Sequence, residues 1–207
     1  MKDTPCSSSF AVAALFAAGL IISGCAGSGK SVQRVEADST IDLSGEWNDT
    51  DSRLVAEEMV RDVLSRPWLS GFIAHHNRQP EVIVGTVRNR TTEHIQTLTF
   101  IKNLERELLN SGRVGFVASK DEREEVRQER ADQQENASPE TMKRFQQETG
   151  ADFLLRGDIA SIVDKEGGQA VKYYQVNLEL VDIETNKKVW VGEKRIKKVV
   201  TQSSTKF

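Results

Sequence analysis

The sequence predicts an α/β fold: a single domain built on a mixed sheet of about five strands with helices packed on it. Three observations lead there. The apolar run Glu81–Val87 is followed by a helical pattern at Leu98, Ile101, Leu104 and Leu108, then by the short run Val114–Ala118. Strand, helix and strand in that order form a parallel crossover unit. Val171–Asp182 alternates strictly, with Tyr174, Val176, Leu178 and Leu180 on one face and Tyr173, Gln175, Asn177 and Glu179 on the other, so one face is buried and one is wetter. Gly167-Gly168 separates that strand from Phe153–Val163, as in a hairpin.

The elements follow in order. Asn48-Asp49-Thr50-Asp51 offers acceptors to the unpaired amides of a first helical turn and negative charge to its positive end. Val55, Met59 and Val63 then recur four residues apart, and Pro67 stops the helix. Trp68–Ala74 adds a short helical turn. Glu81–Val87, rich in β-branched residues, reads as a strand covered on both faces. The next helix ends at Ser111-Gly112. Lys120–Arg130 is nearly all charged, with Val126 as its apolar residue, and reads as a solvated helix supported by ion pairs. Ser138-Pro139-Glu140 carries N-cap and N1 residue types, which predicts a further helix ending at Gly150. Phe153–Val163, Val171–Asp182 and Val189–Val200 are the closing strands, with Glu184–Lys187 as the turn between the last two. Lys194, Arg195, Lys197 and Lys198 suit an edge strand that must not recruit another chain. The same charges would also suit contact with anionic lipid or cell-wall polymer.

The chain has 207 residues, with 28 basic and 31 acidic side chains and a net charge of -3. No global positive field exists to collect nucleic acid. Phe10–Ile22 is an unbroken run of apolar residues and glycine. It is too short to span a bilayer, which takes roughly 20 residues, but it has the length of a signal-peptide core. It leads into Ile22-Ser23-Gly24-Cys25, which resembles the lipobox of bacterial lipoproteins. This implies a signal peptide at 1–24, lipid attachment at Cys25, a lipidated flexible tether at 25–42 and a globular domain at 43–207. Two or more acyl chains hold such a protein stably to a bilayer. Ala26, where an Asp would retain an inner-membrane lipoprotein, implies outer-membrane sorting and a domain facing the periplasm. Cys6 and Cys25 are the only cysteines, so a core, not disulfides, must hold the domain.

Chemistry is sparse. His75 and His76 are adjacent and diverge, and His94 is distant, so no metal site is expected. No nucleophile elbow, phosphate loop or dinucleotide fingerprint occurs. Glu57 and Glu58 read as helix-surface carboxylates. Arg156-Gly157-Asp158 is an adhesion-type tripeptide, but it falls inside a predicted strand. Neither an enzyme nor a cofactor is expected.

Leu43–Ala56, with Trp47, Asn48, Asp49 and Arg53, resembles the LpoB family of lipoprotein activators of peptidoglycan synthases. Pro80–Gly85, Gly150–Ile159 and Tyr173–Asp182 are similar to the same family. These strand motifs also resemble the N-terminal α/β domain of TolB and CsgG-type secretion lipoproteins, whose kinship implies a structural subunit of an envelope assembly as the alternative. The resemblance to LpoB implies a partner, a class A penicillin-binding protein, which the lipoprotein stimulates by binding. It implies no partner-docking residues here, and Trp47, Asn48, Asp49 and Arg53 also suit a helix N-terminus. Enteric members carry a longer disordered stretch. Residues 26–42 reach at most about 55–60 Å, so the partner must extend toward the membrane or differ.

Overall fold

The computed structural model describes residues 31–143 and 147–201. The expected signal peptide and Cys25 lie outside the described residues. A compact unit begins at Asp38.

Helix α1 (Asp49–Ser65) starts at Asn48. The Asn48 side chain accepts from the Asp51 amide and the Asp51 carboxylate accepts from the Asn48 amide, both at 3.0 Å, so two otherwise unpaired donors are satisfied reciprocally. Arg66, preceding a proline, is extended and ends it. Pro67 then occupies the first position of α2 (Pro67–His76), a full helix where a short turn was expected. Trp68 earns α2 its place: its indole donates to the Val63 carbonyl at 2.7 Å, and Trp68 and Phe72 both meet the edge of Phe153. His75 and His76 therefore sit on the last helical turn, and His76 stacks on Phe72.

Strand β1 (Glu81–Asn89), helix α3 (Thr97–Asn110) and the two-residue strand β2 (Gly115–Phe116) form the crossover, with β1 and β2 parallel. Helix α4 (Lys120–Asn136) runs one and a half turns beyond the expected end at Arg130 and buries no residue. Its N-terminus is a second reciprocal cap, between Ser119 and Glu122, and Glu122 also pairs with Lys102 of α3. The hydrogen bonds from Lys102 and from the Ser119 amide and hydroxyl hold the Glu122 carboxyl at about 2. A depressed carboxyl stabilises the fold above its ordinary pKa and loses that contribution as pH falls through the folded value. Hydrogen-exchange protection of the α4 amides is therefore expected to fall between about pH 4.5 and pH 2. Glu122→Gln, which cannot titrate, should flatten that profile, and an unchanged profile would refute the assignment.

The helix expected from Ser138 to Gly150 is not present among the described residues. Ser138 opens a single turn, accepting from the Thr141 and Met142 amides. The backbone of Lys143 is then captured by α4: its amide donates to Gln133 Oε1 and its carbonyl accepts from Gln134 Nε2. A helix needs those same groups for its own ladder.

Strands β3 (Phe153–Glu166), β4 (Gln169–Asp182) and β5 (Lys188–Thr201) complete a sheet of order β2-β1-β3-β4-β5. β1 and β3 are parallel, whereas β3, β4 and β5 run antiparallel. Gly167 and Gly168, both at positive φ, turn the β3–β4 hairpin. α1 and α3 pack on one face. Val55, Met59, Val63, Phe100 and Leu104 meet Val84, Leu155, Ile159, Val176 and Leu178 there. The expected alternation in β4 holds: Tyr174, Val176, Leu178 and Leu180 are buried. β5 is an edge strand, but two of its cations do more than guard that edge. Lys194 pairs with Glu58 of α1, and Lys198 reaches Asp51.

β1 corrects an expectation. Val82, Val84 and Val87 are buried, but Ile83 and Gly85 are half-buried and Thr86 is exposed. The described helices that meet the sheet lie on the opposite face, so nothing among the described residues covers this side of the strand.

Candidate functional site

Trp47, Asn48, Asp49 and Arg53 lie at the start of α1, with Asp49 in its first turn, and the contacts of Trp47, Asn48 and Arg53 are structural. Asn48 caps α1. Arg53 pairs with Glu57 and donates to the Asp38 carbonyl. Trp47 donates from its indole to Ser52 at 2.8 Å and meets the rings of Phe100 and Tyr174 edge-on. Its amide donates to Glu93, which also accepts from Lys172 and from the Tyr174 hydroxyl. Burial raises the Glu93 carboxyl, but the donors Lys172, Tyr174 and Trp47 outweigh it and hold the carboxyl below the usual range. Burial and the neighbouring Glu93 both push the Tyr174 phenol up. This cluster is a fully satisfied polar network at the start of the domain. It contains no uncommitted nucleophile.

Lys198 is the second junction. Its ammonium donates to Asp42 and Asp51, each at 2.7 Å, and to the Glu46 carbonyl at 3.1 Å. Burial alone would lower its pKa, but the hydrogen bonds to the two carboxylates raise it. Asp42, Ile41 and Ser39, in the segment read from sequence as tether, thus hydrogen-bond to Lys198, Asn48 and Thr50. Lys198→Ala would leave Asp51, 9% exposed, beside Asp42 with no cation. It is expected to cost about 1–2 kcal/mol, below the value for a fully buried pair because Asp42 is partly solvated. Urea unfolding measures that cost, and exchange at Asp42–Glu46 should accelerate. A wild-type exchange rate there would show that Lys198 holds nothing.

The uncovered face of the sheet carries the cleft with the most functional promise. It holds about 470 Å³ between β1, β3, β4 and β5. The β1–β3 register creates it: Val84 pairs with Leu155 but Val87 pairs with Gly157, so Gly85 and Thr86 together oppose Arg156. An extra residue bends the strand and re-aims the side chains beside it. The adhesion-type tripeptide resolves here. Arg156 and Asp158 point into the cleft, whereas a Cβ on Gly157 would overlap the Asn177 carbonyl oxygen. Arg156 donates to Glu179 at 2.7 Å, and Lys188 lies 2.5 Å from the other Glu179 oxygen. Together Lys188 and Arg156 outweigh burial and hold that carboxyl low. Asp158 accepts from Asn177 at 3.0 Å and lies 3.9 Å from Arg90. Sequence reasoning missed Arg88, Arg90, Glu179 and Val191 as cleft residues. No local pattern marks them, because a two-against-one register between strands some 70 residues apart brings them together.

Among the described residues, no group of three His, Cys, Asp or Glu side chains is placed to hold a metal ion, and no helix is long and apolar enough to cross a membrane. His94 contacts Gln96 at 3.2 Å.

The model of the family described as peptidoglycan-synthase activator LpoB matches residues 51–196. No curated protein matches the chain. Among solved structures, the LpoB C-terminal domain from Escherichia coli is similar at 17% identity, with 70% of this chain and 98% of that chain covered and a TM-score of 0.40. The LpoB C-terminal domain from Salmonella enterica is similar at 18% identity, covering 63% of this chain and 93% of that one, with a TM-score of 0.32. Lipoprotein GNA1162 from Neisseria meningitidis is similar at 16% identity, covering 62% and 88%, with a TM-score of 0.37.

Proposed function

The chain belongs to the LpoB family of peptidoglycan-synthase activators, and from that membership we propose that it is a lipid-anchored protein of the outer membrane, facing the periplasm, that binds and activates a class A penicillin-binding protein. The observation that carries this reading is the extent of the family match. It runs from the first turn of α1 to Ile196 in β5, and so takes in α3, most of α1, four whole strands and the first part of β5. Signal-peptide removal after Gly24 and acylation of Cys25 belong to the same proposal.

In this reading the protein performs no chemistry of its own. A binder accelerates an enzyme only by favouring its active conformation over its inactive one, so its affinity for the two states must differ. A factor of ten in that ratio corresponds to about 1.4 kcal/mol.

The test has two parts. Affinity capture from envelope membranes with the full tagged chain should retain a class A penicillin-binding protein, and adding the chain to that enzyme should raise its glycan polymerisation rate. Mass spectrometry should find Cys25 acylated, and Cys25→Ser should move the protein from the membrane fraction to the soluble one. Empty capture lanes together with an unchanged polymerisation rate would end the activator reading.

A further inference from the structure

The geometry points to the cleft on the uncovered sheet face as the docking site for a carboxylate-bearing segment of the synthase. This deepens the activator reading and rests on it. Two independent features mark the place.

The first is an apolar floor with no cover. A parallel strand pair is ordinarily shielded on both faces. Here β1 and β3 are parallel, yet Ile83 and Leu154 remain half-buried on the bare side, and Val191 of β5 is 64% exposed at the cleft wall. The cleft runs across the sheet, taking a few residues from each of four strands, with Leu154 and Val191 as apolar side chains in its lining.

The second is unbalanced charge. Arg88, Arg90, Arg156 and Lys188 stand around two carboxylates, Asp158 and Glu179. Glu179 is already shared between Arg156 and Lys188. Asp158 is taken by Asn177, and it leaves Arg90 at 3.9 Å. Arg88 has no carboxylate within ion-pair reach among the described residues. The chain as a whole is acidic, at -3, so this excess is local. Arginine forks take carboxylates bidentately, and arginine beside an apolar centre is the composition of energetically dominant interface positions.

The experiment uses the full chain. Arg88→Glu/Arg90→Glu reverses two exposed charges without touching the core, and Arg88→Ala/Arg90→Ala serves as the second variant should reversal disturb folding. Arg106→Glu, exposed on α3 across the sheet from the cleft, is the control. With thermal unfolding unchanged, the double reversal is expected to weaken synthase binding at least tenfold and to abolish stimulation at a concentration that saturates wild type. Wild-type binding should weaken as salt rises, and the reversed variant should lose most of that dependence. Full binding and stimulation by both double variants would overturn this docking face while leaving the activator reading intact. Failure of wild type itself to bind or stimulate would remove the activator reading, and the docking proposal with it.

Discussion

Phe100→Ala is expected to lower the unfolding free energy by about 3–5 kcal/mol, the range for truncating a fully buried aromatic ring. Phe100 is 0% exposed and stands on α3 where that helix meets α1 and the sheet. Its ring also supports Trp47, whose edge lies 6.1 Å away, centre to centre. The variant therefore opens a cavity under the residue that closes the start of the domain. In a domain of this size, a change of that magnitude shifts the melting temperature by roughly 6–20 °C. Calorimetry measures it, and a loss under about 1 kcal/mol would mean that the core repacks around the missing ring. Exchange at Trp47 and Asn48 should rise with it, because the ring is one of the few apolar contacts of that segment.

Gly157→Ala is expected to destabilise the fold by about 3 kcal/mol, at the upper end of what overpacking costs. The added methyl would run into the Asn177 carbonyl oxygen and the Leu178 side chain. Neither can retreat, since β3 and β4 are held to each other along 14 paired positions and each has a further strand on its other side. Gly71→Ala makes the same chemical change inside α2, where nothing lies within 4 Å of the new methyl. There the gain in helix propensity should stabilise by up to about 1 kcal/mol. Urea unfolding of the two variants should show opposite signs. Equal effects would refute the account of Gly157. This glycine also lies under the cleft, so residual folded Gly157→Ala protein should show altered synthase binding, whereas Gly71→Ala protein should not.

The elements read correctly from sequence were those whose signal is local. Asn48 and Asp51 cap α1 through side chains three residues apart. Tyr174, Val176, Leu178 and Leu180 alternate because a pleated strand does. The errors came where a distant partner overrode a local preference. Ser138-Pro139 carries every sign of a helix start, yet Gln133 and Gln134 of α4 intercept the backbone of Lys143. Trp68–Ala74 read as only a short helical turn, and it grew into the full helix α2 because Phe153, far along the chain, gives the Trp68 ring a surface to pack on. The β-branched run in β1 suggested cover on both sides, but burial is decided by which helices exist to provide it, and the described helices provide it on one side.

From its residues alone, this protein was legible as a chain with a lipobox-like leader, a family motif near Trp47 and an α/β domain with no catalytic signature. Those properties are written in short stretches, where composition and spacing suffice. The family motif turned out to be a helix cap joined to a buried polar network through Glu93 and Tyr174. Folding alone made the cleft at Arg88, Arg90, Arg156 and Val191. Its residues come from four strands, and the extra residue at Gly85–Thr86 that opens it becomes visible only when β1 is laid against β3. Register is a property of pairs of strands, and no single strand carries it.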